Sequence, residues 1–108
     1  MKVLAQILFL ALAAAGTAAA DEPISYAEGA RLMAKYNCQP CHSMDKNAAG
    51  PSLRAIAKKY APDPTADVEL AAKVVNGSTG VWGPIPMAPV AVPDGDLKTL
   101  IKWILSLK

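Results

Sequence analysis

The stretch Cys38-Gln39-Pro40-Cys41-His42 holds both cysteines and the single histidine of a 108-residue chain. Any chemistry that uses all three groups is therefore built at this one point. Upstream, Ser25-Tyr26-Ala27-Glu28 fits a capping box, in which the serine oxygen accepts from the N3 amide and the glutamate reaches back to the cap amide. A first helix is expected from Tyr26 to Tyr36, with Tyr26, Ala30, Met33 and Asn37 on one face, and it runs directly into Cys38.

Downstream, residues 47–52 are turn-like, and Ser52 to Tyr60 reads as a short second helix stopped before Pro62 and Pro64. A third helix is expected from Ala66 to Val75. Thr65 is placed to cap it, Asp67 and Glu69 suit its positive end, and Asn76-Gly77 supplies a stop. Residues 77–93 break every helical rule, with prolines at 84, 86, 89 and 93 and glycines at 77, 80 and 83. Compact domains keep an ordered loop of this length for a functional reason. Asp94-Gly95-Asp96 then opens a last helix with an apolar stripe of Leu97, Leu100, Ile101, Ile104 and Leu105. No alternating strand pattern competes, so the fold class is all-α.

Residues 1–20 read as a cleaved signal peptide: Lys2 gives a positive start, Val3 to Ala15 form an apolar run broken only by Gln6, and Ala18-Ala19-Ala20 supplies small residues for cleavage. That run is shorter than the roughly 20 apolar residues a membrane span requires. Export to a bacterial periplasm, without membrane insertion, is the expectation. One domain over residues 21–108 is left, small enough that a staple such as a disulfide, metal or cofactor is expected to support its core. Its ten lysines and arginines against nine carboxylates argue against nucleic acid as a partner.

Three chemistries compete for the five residues. A redox dithiol of the thioredoxin kind sits beside a βαβ pattern, which this chain lacks. Closed zinc sites want four ligands, and the chain contains no further cysteine or histidine. Covalent haem attachment uses this Cys-x-x-Cys-His pattern: Cys38 and Cys41 add to the two porphyrin vinyl groups, and His42 becomes the proximal ligand. Thioether formation follows export, in agreement with the signal.

A carrier with two axial ligands then needs a second one, and with no other histidine a methionine is the candidate. Met44 stands two residues after His42, too close to reach the other face. Met33 lies on the first helix's apolar stripe, where methionine is a core filler. Met87 stands in Gly83-Pro84-Ile85-Pro86-Met87-Ala88-Pro89, far enough along to cross the ring, and the prolines limit the entropy lost on ligation. Met87 is therefore the expected distal ligand.

With these residues assembled, the chain resembles the small bacterial class I monohaem cytochromes c, particularly those that donate electrons to nitrite reductase and terminal oxidases. The resemblance covers most of residues 25–108. It rests on Cys38-Gln39-Pro40-Cys41-His42, Gly50-Pro51, Asn76-Gly77-Ser78, Gly80-Val81-Trp82-Gly83-Pro84-Ile85-Pro86-Met87 and Lys102-Trp103-Ile104-Leu105-Ser106. It implies four to five helices wrapped around one haem c, with the first and last helices crossing. It further implies that Pro51 offers its carbonyl to the His42 Nδ1–H, and that Trp82 directs its indole N–H to a haem propionate, the alternative being an apolar wall residue.

Two departures stand out. Lys73 occupies a propionate-contacting position that is often arginine, and lysine cannot form a bidentate fork. Val90 stands where relatives place an asparagine able to bond the methionine sulfur. Pro62 and Pro64 are also expected to re-route the connection between the second and third helices.

The functional expectation is a soluble, monomeric, periplasmic one-electron carrier and not an enzyme. Its partners would be redox proteins: a membrane quinol-oxidising complex as donor and nitrite reductase or a terminal oxidase as acceptor. Docking is expected at Val81, Ile85, Ala88 and Val90 around the haem edge, with Lys46, Lys58, Lys59 and Lys98 as candidates for a surrounding ring. The competing reading is a five-coordinate haem enzyme or gas sensor, which would want an open distal site and a polar acid or base there.

Overall fold

A side-chain oxygen takes up a free amide at the start of two of the helices. In the computed structural model, which describes residues 22–108, Glu28 N–H donates to Ser25 Oγ at 3.2 Å and opens α1, Tyr26–Lys35. Ala55 N–H donates to Ser52 Oγ at 3.1 Å and opens α2, Leu53–Tyr60. The reciprocal half of the first capping box, from the Glu28 side chain, is not among the hydrogen bonds of the described residues. Two further helices follow: α3, Ala66–Asn76, and α4, Asp94–Ser106. The signal-peptide expectation falls outside the described residues.

Thr65 does not cap α3 with its side chain. Its hydroxyl and its amide both donate to Asp63 Oδ1, each at 2.9 Å, because a carboxylate two residues back forms a closer local turn than the helix amides offer. These bonds hold the Asp63 carboxyl below the usual carboxylate range. The turn they build also carries the chain past Pro62 and Pro64, with Asp63 N–H on the Tyr60 carbonyl at 2.9 Å.

The fourth helix is the one against which the other three pack. Its expected stripe is buried at Leu97, Leu100, Ile101 and Ile104, while Leu105 is half-buried. Trp103 adds a further buried position, at 2 % exposure, which the stripe did not include. The reason lies on α1, where Gly29 leaves its Cβ position to the indole: a methyl group there would lie 2.1 Å from Trp103 Cε2. That gap lets the first and last helices cross in close contact, and Tyr26 adds an edge-on ring contact to Trp103 at 6.1 Å.

Leu32, Met33, Leu53, Leu100, Trp103 and Ile104 form one core cluster; Tyr60, Ala66, Leu70, Leu97 and Ile101 form the other. Ile56 touches both. Two isolated bridges are the only β pairing among the described residues, so the architecture is all-α as expected. No helix among the described residues is long and apolar enough to cross a membrane.

Candidate functional site

The end of α1 aims the first thiol. Asn37 takes the left-handed conformation, φ 56°, and its amide donates to the Ala34 carbonyl at 3.2 Å. The Cys38 amide folds back to the Met33 carbonyl at 2.9 Å, completing a Schellman stop. The next turn winds tightly, with His42 N–H on the Cys38 carbonyl at 2.9 Å and Cys41 N–H on the same oxygen at 3.3 Å. One turn of backbone therefore carries both thiols and the imidazole. Both cysteines are free; Cys38 is half-buried, Cys41 is exposed, and burial pushes the Cys38 thiol up.

His42 Nδ1 lies 2.8 Å from the Pro51 carbonyl oxygen. A carbonyl only accepts, so Nδ1 carries a proton in this contact, and in the neutral imidazole the lone pair is then on Nε2. Gly50 is required beside it: a Cβ there would lie 2.6 Å from His42 Cε1 and 3.2 Å from the Cys41 carbonyl oxygen. The loop from Ser43 to Ser52 is tied down by Gly50 N–H on Cys41 O at 2.9 Å and Ser52 N–H on Asn47 Oδ1 at 2.9 Å. The imidazole is thus fixed by backbone that is itself bonded.

Met87 comes from residues 77–93, and the backbone at its position is pinned. Ser78 and Met87 exchange both backbone hydrogen bonds, at 3.0 and 2.8 Å, so the intervening residues form a closed loop. Gly77 makes this pairing fit, with φ 78° and no room for a side chain, since a Cβ would lie 2.7 Å from the Met87 carbonyl oxygen. A third bond, Val90 N–H to Val74 O at 2.8 Å, ties the far side of the loop to α3.

Both segments open onto one cavity of about 360 Å³, lined by Cys38, Cys41, His42 and Pro51 from the attachment turn and by Trp82, Met87 and Val90 from the loop. Leu53, Ile56, Leu70, Val74, Leu100, Ile101 and Ile104 supply an apolar lining, and Lys73 is the one charged residue among those that line it. Met33 also borders the cavity but is buried in the core, and Met44 packs half-buried against the same cluster. Trp82 is 45 % exposed, with Lys59 Nζ 5.3 Å from its ring centroid. The groups that covalent haem attachment needs stand together here: two free thiols one turn apart, an imidazole with a free nitrogen, and an apolar cleft. The residues present fit that group.

A protein-family model described as Cytochrome c matches residues 26–108. The chain belongs to the cytochrome c family. Cytochrome c-551 of Pseudomonas aeruginosa is 44% identical over 100 residues, covering 92% of this chain and 94% of that protein. Cytochrome c-552 of Nitrosomonas europaea is 48% identical over 99 residues, covering 91% and 88%. The crystal structure of wild-type Nitrosomonas europaea cytochrome c552 superposes with a TM-score of 0.70 at 50% identity, covering 73% of this chain and 99% of that one. This cytochrome is a small class I monohaem member with the all-α fold of that class. It holds one covalent haem c, for which Cys38 and Cys41 are the two cysteines present, and it is an electron carrier, not an enzyme.

Three residues that serve the site carried weak signals in the cytochrome's sequence. Helical spacing puts Asn37 on a face of the first helix, although Asn just before a helix stop is itself a signal for a left-handed residue. The need for Gly50 comes from an imidazole folded against it. Ser78 pairs with Met87 only because the loop closes.

Proposed function

We propose that this cytochrome carries electrons with His42 and Met87 as the two axial ligands. The observation that supports the pair most directly is that His42, with its Nδ1 committed to Pro51, and Met87, on its pinned loop, line one cavity from separate segments. Haem c bound there supplies one-electron Fe(II)/Fe(III) chemistry. The chain's own part is to present an imidazole nitrogen and a thioether sulfur from backbone that is already ordered. Little rearrangement should then accompany a change of oxidation state, and no residue has to act as acid or base.

Lys73 and Trp82 are the residues we assign to the propionates, through the ammonium and the indole N–H. Lys73, with a single point charge and no fork, would hold its propionate in a less fixed direction than an arginine. Val90 offers the Met87 sulfur no hydrogen bond, which should set this cytochrome's reduction potential apart from that of relatives with a donor there.

We further assign residues 1–20 to a cleaved signal and the mature cytochrome, residues 21–108, to the periplasm as a monomer. Its partners are redox proteins, with a membrane quinol-oxidising complex as donor and nitrite reductase or a terminal oxidase as acceptor. They would dock over the exposed apolar rim that includes Val81 and Ile85, in short encounters whose rate depends on surface charge. Of the candidate ring lysines, Lys98 is engaged with Asp94 at 3.1 Å, which makes it the weakest choice.

The deciding experiment is the visible spectrum of the exported protein, oxidised and reduced, beside that of Met87→Ala. A weak far-red sulfur-to-Fe(III) band in the native protein that is absent from the variant is the expected outcome. A high-spin native spectrum that responds to carbon monoxide would overturn the Met87 assignment and favour the five-coordinate sensor or enzyme.

A further inference from the structure

The loop that carries Met87 is held at its base by the Ser78–Met87 bonds, and its tip bears an exposed indole that sits under a cation from another element. Lys59, near the end of α2, places Nζ 5.3 Å from the Trp82 ring centroid and 5.7 Å from that of Tyr60. Both distances lie inside the range in which an ammonium is attracted to the negative face of an aromatic ring. No ion pair involving Lys59 occurs among the described residues. Trp82 and Lys59 are distant in sequence, and Trp82 lines the mouth of the cavity. We propose that Lys59 is a latch: its ammonium bridges α2 to Trp82 and keeps the methionine loop seated over the cavity.

The two ends of this bridge differ in what holds them. Tyr60 is buried in the core, so the α2 side is fixed, whereas Trp82 is close to half exposed on the loop, between the positive-φ glycines at 80 and 83. Tethering the exposed ring to the fixed one lowers the population of loop-open states. Lys59 is thus a positioning residue that acts through Trp82. Its consequence for ligation rests on the assignment of Met87 made above; the latch itself does not.

The Ser78 and Met87 amides, each bonded across the base of the loop, report its opening. Their hydrogen exchange is measured by NMR in the haem-loaded protein for the native chain, Lys59→Met, Lys59→Arg, Trp82→Leu and the Lys59→Met/Trp82→Leu double variant. An exposed cation–π contact corresponds to about a two- to five-fold change in an opening equilibrium. Lys59→Met should speed exchange at Ser78 and Met87 by that factor while the core amides of α4 keep their native rates. Lys59→Arg should restore native exchange, and Lys59→Met should add nothing once Trp82 is Leu. An unchanged rate, a uniform rise that includes α4, or a full additional effect in the Trp82→Leu background would overturn the latch. The far-red band of the native protein is recorded on the same samples. Its absence would remove the Met87 assignment while leaving the exchange result to stand or fall alone.

Discussion

His42 is oriented by one hydrogen bond and one missing side chain. Gly50→Ala puts a methyl group into the space of the imidazole edge and, at greater distance, the Cys41 carbonyl. Either the ring turns away from Pro51 or the turn through Gly50 opens. Overpacking of this kind costs about 1–3 kcal/mol. The expected outcome is a lower melting temperature together with a shifted visible spectrum; a native spectrum would show that the turn gives way and the ring does not.

Asn37 offers a test of opposite sign. At φ 56° it holds a conformation that glycine adopts without strain, so Asn37→Gly keeps the helix stop and changes stability by no more than about 1 kcal/mol, in the favourable direction. Asn37→Val forces a β-branched residue into the left-handed region and should cost at least about 1–2 kcal/mol. Urea unfolding of the two variants separates them, and similar midpoints would show that the Schellman geometry does not matter.

The crossing of α1 and α4 depends on Gly29 and Trp103 fitting together. Helix propensity alone would favour alanine at position 29 by about 1 kcal/mol, yet the added methyl has no space beside the indole. Gly29→Ala is therefore expected to destabilise by about 1–3 kcal/mol despite its better propensity. Calorimetric melting checks the sign, which propensity and packing predict oppositely.

The same two helices share a second tie. Tyr36, which caps α1, donates its hydroxyl to Asp96 in the first turn of α4, and Lys35 lies 3.6 Å from that carboxylate. The Tyr36 bond holds the Asp96 carboxyl below its usual range, and the bond to Asp96 raises the phenol. A depressed carboxylate contributes stability above its unfolded pKa and loses it as acid reaches the folded value. A raised phenol contributes below its unfolded pKa and loses it as base reaches the folded value. The stability gap between native protein and Tyr36→Phe should therefore be widest between about pH 4 and pH 10 and close at both ends. Urea titrations across that window test it, and a gap independent of pH would remove the bond from the account.

In the molecule as a whole, the cavity lies where the core would otherwise close. Leu70, Leu100, Ile101 and Ile104 belong to the two core clusters and also line it, so both clusters depend on what fills it. A domain of this size has little apolar area to spare. Replacing both attachment residues, Cys38→Ser with Cys41→Ser, should leave a chain whose far-ultraviolet circular dichroism lacks most of the native helical signal. A native helical signal in that variant would show that the four helices hold one another without the covalent group.

The helices and the attachment turn were legible because their determinants are local: caps, prolines, an apolar stripe, and three chemical groups within five residues. Their boundaries moved by no more than one residue, and α3 starts at Ala66 as expected even though Asp63 captures the hydroxyl of Thr65. Sequence by itself determined the class of the fold and the chemistry of Cys38-Gln39-Pro40-Cys41-His42, and it favoured Met87 over Met33 and Met44 as the distal ligand we propose. Tertiary structure alone decided which glycines are irreplaceable, that Trp103 is core, that Ser78 closes the methionine loop and that Lys59 meets Trp82. Each of those facts is a distance between residues far apart in the chain. Such a distance is set when the helices pack, and no local pattern records it.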